Sequence, residues 1–155
     1  MTWQNPTRVS DPSTRRVFQS LTRYLARMLR AVSARVSATV SQSIPTGVWT
    51  TVSWDTVVHD DDGFYAAGAP TVLTVPDGWD GTFVLWVSAD MQQASQRLRV
   101  MVNGNQSAIT TGSSLSCTDQ LAAGAAISID IFQSSGGAVT VPTSAVFGVT
   151  RLGDL

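Results

Sequence analysis

Four consecutive residues, His59-Asp60-Asp61-Asp62, are the densest group of chemically active side chains in the sequence. A histidine beside an aspartate suits a nucleophilic triad, but no Gly-x-Ser-x-Gly turn accompanies the pair, so we expect no enzymatic activity. Three adjacent carboxylates also supply the oxygen ligands that Ca²⁺ prefers. They lack the spaced ligand pattern of a calcium loop. We therefore interpret Asp60, Asp61 and Asp62 first as solvated turn residues and only second as metal ligands.

Other reactive groups are scarce. Cys117 is the only cysteine, which excludes an intrachain disulfide and favours a small buried side chain. The sequence has no phosphate loop, dinucleotide fingerprint or zinc spacing, and it predicts no cofactor. The longest apolar run, residues 83–87, is too short to span a bilayer, and the first twenty residues lack the apolar segment of a signal peptide.

Arginine is the second feature with chemical consequences. Residues 1–40 hold seven Arg and one Asp, a net charge of +6, whereas residues 41–155 hold three Arg and ten Asp, a net charge of −7. The opposite signs predict different surroundings for the two parts of the chain. The residues that we expect to hold an acidic partner are Trp3, Arg8, Arg15, Arg16, Arg23, Arg27 and Arg30.

The basic part has the pattern of a helix. Residues 1–11 show no periodicity and predict an extended arm. Asp11-Pro12 is a helix start signal, with a capping carboxylate followed by proline at the first helical position. From there we predict an amphipathic helix over 12–38. Its apolar residues follow one another at intervals of 3, 4, 3 and 4, a heptad seam suited to self-association. They are Phe18, Leu21, Leu25, Met28 and Val32.

The arginine stripe leaves several partners open. No acidic residue lies three or four positions from Arg16, Arg23 or Arg30 to pair with them. The helix can pack on its own body, form a bundle with other copies, or dock on an acidic partner. DNA and membrane surfaces also attract such helices. The small number of arginines and the acidic body argue against nucleic acid, and the absence of lysine argues against a membrane surface.

Beyond residue 40 the periodicity falls to two, and Ser, Thr, Gly and β-branched residues dominate. Segment 83–87 is apolar on both faces, which suits a strand covered on both sides. Turn pairs such as Asn103-Gly104 separate the strands. Short strands with such turns predict a mainly β sandwich or jelly roll over residues 41–155. The predicted strands are 48–55, 71–75, 82–89, 97–103, 114–119, 126–132 and 145–152.

The order of these segments resembles a known head domain. "QSIPTGVWTTVSWDT" (42–56) leads into "VVHDDDGFY", and "LTVPDGWDGTFVLWVSAD", "RLRVMVNGNQ", "QLAAGAAISIDIFQSSGG" and "SAVFGVTRLGDL" follow in turn. This succession resembles the tumour-necrosis-factor-like jelly roll, also known as the complement globular head, in the version found in virion proteins of tailed bacteriophages. The resemblance implies a homotrimer in which one sheet of each head packs around a threefold axis. Residues 1–40 match no part of the head.

Together with the modest size and the basic terminus, the resemblance favours a structural virion protein. We expect a trimeric decoration (cement) protein on the outer surface of a tailed-phage capsid, made in the host cytoplasm and bound to major capsid protein subunits. The alternative is the receptor- or glycan-binding head of a tail or head fibre, with Trp49, Trp79 and Trp86 as candidate sugar-stacking residues. A third interpretation is an adhesive trimer of cellular origin.

Overall fold

The computed structural model describes residues 11–29 and 32–153. Its single helix, α1 (Pro12–Leu29), begins where the sequence predicts. The Asp11 carboxylate accepts hydrogen bonds from the Ser13 backbone N–H (3.1 Å) and the Thr14 hydroxyl (3.0 Å). These hydrogen bonds stabilise the ionised carboxylate. Those from Ser13 contribute most to lowering the pKa of Asp11. The cap therefore fixes the start of the helix.

The rest of the described chain is built of strands, as the mainly β jelly-roll prediction requires. The strands are β1 (Ser33–Ser37), β2 (Gln42–Ile44), β3 (Thr50–Thr51), β4 (Thr56–Asp60), β5 (Leu73–Thr74), β6 (Gly81–Ser88), β7 (Arg97–Val102), β8 (Asn105–Thr111), β9 (Ser114–Leu121), β10 (Ala126–Phe132), β11 (Val139–Val141) and β12 (Val146–Gly153).

Two antiparallel sheets make the sandwich. The first sheet has the strand order β4-β1-β12-β6-β9, and the second has the order β3-β10-β7-β8, with β5 also paired to β10. A small third sheet joins β11 to β2. Except for β7 and β8, strands that are neighbours in a sheet are not consecutive in the chain, which is typical of a jelly roll rather than a meander. The fold class predicted from the sequence is confirmed.

Alternating side chains of both sheets form one core. In β7 and β10 the buried apolar residues are every second one, including Leu98, Val100 and Ile129, as their period of two predicts. Aromatic rings connect the layers: Trp54 and Phe147 lie 5.8 Å apart between ring centroids, and Phe64 meets the edge of a neighbouring phenylalanine. The opposite face of each sheet points away from this core.

The predicted extent of the helix, 12–38, is wrong at its C-terminal end. The helix ends at Leu29, and β1 occupies Ser33–Ser37. In this strand Ala34 and Val36 are fully buried while the residues between them face outward, so burial of a period-two face overrides the helical pattern. The sequence misleads here because Val32 also continues the heptad seam. The head therefore starts with β1, before residue 41.

Most of the predicted strands are present with small changes at their ends. Segments 48–55 and 71–75 are the exceptions, because only Thr50–Thr51 and Leu73–Thr74 of them are strands. Five strands were not expected: β1, described above, and β2, β4, β8 and β11. The predicted turn at Asn103-Gly104 joins β7 to β8, and both of its residues have positive φ (50° and 77°). This is the conformation that a tight two-residue hairpin requires.

Candidate interaction surfaces

The described part of α1 presents arginine and apolar residues to solvent. Arg15 and Arg16 are exposed, and Phe18 and Leu21, two residues of the predicted seam, are 69% and 51% exposed. No acidic residue occurs between positions 12 and 29. Within the described residues, no helix is long and apolar enough to cross a bilayer. The helix thus carries an apolar surface and positive charge with no counter-charge of its own.

The other predicted partner-binding and seam residues divide into three groups. Arg23, Arg27, Leu25 and Met28 lie within α1. Trp3, Arg8 and Arg30 lie outside the described residues. Val32 is not part of the helix: it lies just before β1 and is fully buried in the core of the head. Its assignment to a helical seam is therefore wrong, because it packs inside the head.

The acidic segment after β4 is organised by its own backbone. The Asp60 carboxylate accepts hydrogen bonds from the backbone N–H groups of Gly63, Phe64 and Tyr65, each 2.9 Å long. Those bonds occupy both oxygens and explain Asp60 as a loop-fixing residue. In the described part of the chain, no group of three or more His, Cys, Asp or Glu side chains is arranged to hold a metal ion.

Two further reactive side chains are accounted for by their surroundings. His59 is exposed on the edge strand β4, and its Nε2 lies 3.0 Å from the hydroxyl of Ser33 in the neighbouring strand β1. Cys117 lies in β9, and burial raises the pKa of its thiol. A thiol with a raised pKa is largely protonated at neutral pH and is a poor nucleophile.

The first-sheet outer face is formed by the outward side chains of β1, β12, β6 and β9, with Arg35, Gly148 and Trp86 in one row across it. The register pairs Arg35 with Gly148, and Gly148 with Trp86. A Cβ at Gly148 would overlap the indole of Trp86, so the ring lies flat over the glycine. The Arg35 guanidinium carbon lies 5.6 Å from the centroid of that ring. Only glycine allows this arrangement.

This face carries little charge. Arg35 is the one charged residue among its outward positions, which are otherwise small hydroxyl-bearing residues, glutamine, glycine, valines and Trp86. Val84 and Trp86 are half-buried, and on the neighbouring edge strand Val57 and Val58 are 45% and 51% exposed. The Nε atom of Arg35 is buried and has no hydrogen-bond partner among the residues that the structure describes.

The second-sheet outer face, defined by Trp49, Arg97, Arg99, Asp130 and Phe132, is built differently. Arg99 donates hydrogen bonds from Nε (2.9 Å) and Nη2 (2.7 Å) to one carboxylate oxygen of Asp130. The Thr51 hydroxyl donates to the other oxygen (2.7 Å). The guanidinium of Arg99 also lies 4.3 Å from the centroid of the Trp49 ring. Each charge of this pair is satisfied within the chain.

Arg97 extends the same cluster to the surface. Its guanidinium carbon lies 5.8 Å from the centroid of Phe132, whose ring is 5.4 Å from that of Trp49. Arg97 itself is exposed. Arg97 and Arg99 lie two positions apart in β7 and therefore share one face of the strand. The sequence did not reveal Asp130 and Phe132 as their partners, because strand register brings them together.

The three tryptophans named as sugar-stacking candidates have contacts within the head. Trp79 is only 8% exposed, with the guanidinium carbon of Arg151 5.5 Å from its ring centroid. Trp49 is covered on one side by Arg99, and Trp86 lies on Gly148. Contacts within the head therefore cover part of the surface of each indole ring. Arg35 and Gly148 were missed as surface residues, since nothing in the sequence aligns them with Trp86.

Comparison with known proteins identifies the fold. No family model matches the sequence, and no curated protein matches it. Among solved structures, murine APRIL matches with a TM-score of 0.59 at 16% identity, over 79% of this chain and 100% of that one. The globular domain of zebrafish complement 1qA matches with a TM-score of 0.54 at 13% identity, over 81% of this chain and 100% of that one. At such identities the likeness is one of fold: the chain carries a jelly-roll head of the type seen in APRIL and complement 1qA.

Proposed function

We propose that this chain is a structural virion protein, a homotrimeric decoration protein on the outer surface of a tailed-phage capsid. The observation that carries the proposal is the helix, whose residues 12–22 expose apolar and basic side chains, joined in the chain to a head of opposite charge. Residues 32–153 hold nine aspartates and four arginines. A head of that charge tends to be repelled by an acidic lattice. The helix supplies the attraction that the head lacks.

The helix suits an acidic partner better than a bundle of its own copies. α1 contains four arginines, so three helices in one bundle would bring together twelve arginines (three times four) with no acidic residue from positions 12–29. Like charges on neighbouring helices destabilise a coiled coil. With 18 residues, α1 offers only about two and a half heptads. We therefore assign α1 to the acidic surface of the major capsid protein.

The homotrimer is proposed to form through the first-sheet outer face. This face combines half-buried Val84 and Trp86 with small hydroxyl-bearing residues and one charge. Protein interfaces are depleted in charge at their centre and enriched in tryptophan and arginine. The apolar outer side of β6, which the sequence predicts to be covered, receives that cover from a neighbouring head.

The test uses the full chain with undecorated shells of a tailed phage that encodes it. We expect a solution mass of about 50 kDa, three times the 16.5 kDa of one chain, and co-sedimentation with the shells. Replacing Arg15, Arg16, Arg23 and Arg27 by glutamine should abolish co-sedimentation and leave the trimer intact. Arg97→Gln, an exposed arginine of the head, is the matched control. A wild-type chain that is monomeric, or that ignores the shells, overturns the proposal.

A second candidate function is the receptor-binding head of a tail or head fibre, and the second-sheet outer face favours it. Exposed Arg97 lies against Phe132, so a charged group and an aromatic ring are presented together. Arginine and aromatic residues are common at binding hot spots. Binding of the full chain to intact host cells, lost in Arg97→Ala and retained in the glutamine variant of the helix, would support this function over capsid decoration.

A further inference from the structure

Arg35 occupies an unusual position for a charged residue. It lies in β1, between two neighbouring strands of the first sheet, and its side chain points away from the core. The outward positions around it on β12 and β6 are Val146, Gly148, Val84 and Trp86. An arginine among such residues is suited to an interface only if its charge is met there.

Within the described residues that charge is not met. The Nε atom of Arg35 is buried without an acceptor, and the guanidinium rests on the Trp86 ring. Stacking on an aromatic ring stabilises the cation but accepts none of its N–H groups in a conventional hydrogen bond. Arg99 shows the difference, because it has both a ring and the carboxylate of Asp130.

We propose that a neighbouring copy of this chain contributes a carboxylate to the guanidinium of Arg35, so that this cation site is complete only in the assembled trimer. The inference rests on the proposed homotrimer and names the group that its interface must supply. Burying an unpaired guanidinium against a second head would oppose assembly, whereas a paired one fixes the register of the two copies. Aspartate is plentiful for this role, with nine aspartates among residues 32–153.

Trp86 and Gly148 prepare the site. Because the indole lies flat over Gly148, it fills the space beside Arg35 and limits the directions that the guanidinium can take. A side chain that is already held before binding loses less conformational entropy when its partner arrives. In the proposed trimer the neighbouring head packs on this outer face, beside the Arg35 guanidinium.

The test is the trimer dissociation constant of the full chain, measured by sedimentation equilibrium for wild type, Arg35→Met and Arg35→Lys. Methionine keeps the apolar stem but leaves the neighbour's carboxylate buried and unpaired, so we expect dissociation constants at least about 30-fold higher. Lysine should recover part of the loss. Arg97→Met, on the second-sheet outer face, is the matched control and should change nothing.

The outcomes separate this inference from the proposal on which it rests. If wild type is a trimer and Arg35→Met assembles as tightly or more tightly, no carboxylate meets Arg35 and the inference is overturned while the homotrimer stands. A wild-type chain without a trimer overturns both. Circular dichroism of each variant under dissociating conditions checks the fold of the head. We expect it unchanged, because the backbone pairing of Arg35 is kept and its buried Nε has no hydrogen-bond partner among the described residues.

Discussion

The two outer faces of the head each carry an arginine stacked on a tryptophan, but the two arginines differ in their hydrogen-bond partners. On the second-sheet outer face, Arg99 lies over Trp49 and is paired with Asp130. On the first-sheet outer face, Arg35 lies against Trp86, and its buried Nε has no acceptor among the described residues. Among the described residues, the first cation is paired with a carboxylate and the second contacts an aromatic ring but no carboxylate.

Because of this difference, we expect one arginine to contribute to the stability of the folded chain and the other to contribute to assembly of the trimer. A network that is complete within one chain stabilises that chain, and its loss is measured as a lower free energy of unfolding. A cation without an acceptor adds little to the stability of the monomer and gains its value when a partner arrives. Substitutions on the second-sheet outer face should therefore change stability, and substitutions on the first-sheet outer face should change the trimer.

The largest expected effect comes from removing the strand that carries Arg35. β1 lies between β4 and β12 and buries Ala34 and Val36, so a chain that begins at residue 41 loses an inner strand of the first sheet. We expect it to show no cooperative unfolding transition. A chain that begins at residue 31 keeps β1 and should unfold cooperatively. Circular dichroism during urea titration distinguishes the two. Cooperative unfolding of the 41–155 chain would show that β1 is dispensable.

Breaking the completed pair should have the next largest effect. Asp130→Ala leaves the half-buried guanidinium of Arg99 without its counter-ion and the Thr51 hydroxyl without its acceptor. We expect a loss of about 2–3 kcal/mol in the free energy of unfolding. Arg35→Met should cost less than about 1 kcal/mol under conditions in which the trimer is dissociated. Urea denaturation at one fixed protomer concentration compares the two variants. Equal losses would remove the distinction between the faces.

Some elements of the head could be predicted from local sequence patterns, and others could not. Local patterns are sufficient where one period dominates: the alternation in β7 and β10 and the Asn103-Gly104 turn were predicted and are present. They fail at β1, because Val32 fits both the helical seam and the core of the head. The choice between helix and strand there depends on β4 and β12, which lie far away in the sequence.

The surface residues divide in the same way. Arg15 and Arg16 were identified from the charge and predicted helix of the N-terminal segment, and both are exposed in α1. The row of Arg35, Gly148 and Trp86 brings together residues more than fifty positions apart, and only strand register aligns them. A glycine that is required by a ring lying above it leaves no trace in composition or periodicity. Such sites are visible only after the topology is known.

Gly148→Ala tests the first-sheet outer face with a smaller change. The added methyl group would overlap the indole of Trp86, so the ring must move and Arg35 loses its support. We expect the trimer to weaken about tenfold, with a loss of about 1–2 kcal/mol in the free energy of unfolding of the head. Gly137→Ala is the control, because a Cβ there meets no atom within 4 Å. An unchanged trimer would mean that the position of Trp86 is irrelevant to assembly.

The smallest expected effect concerns a carboxylate at the edge of the first sheet that is satisfied within the chain, as Asp130 is. Asp55 accepts hydrogen bonds from the backbone N–H groups of Thr39 and Val40 and from the hydroxyl of Thr56. Burial raises the pKa of Asp55, but these bonds and one from the Thr39 hydroxyl outweigh it and lower the pKa to about 2. The folded state thus binds this proton less readily than the unfolded state does.

The sign of the pH dependence follows from that lowered pKa. The contribution of Asp55 to stability is fully present above about pH 4, the ordinary value for aspartate, and is lost as the pH falls towards 2. Asp55→Asn should therefore cost less than about 1 kcal/mol at neutral pH, since the site is exposed and screened by solvent, and should flatten the acid-induced loss between pH 4 and 2. Asp77→Asn, in an exposed turn, is the control. Urea midpoints at several pH values give the comparison. If Asp55→Asn keeps the full acid dependence of wild type, the hydrogen bonds to Asp55 do not stabilise this edge, and the first sheet depends on packing alone.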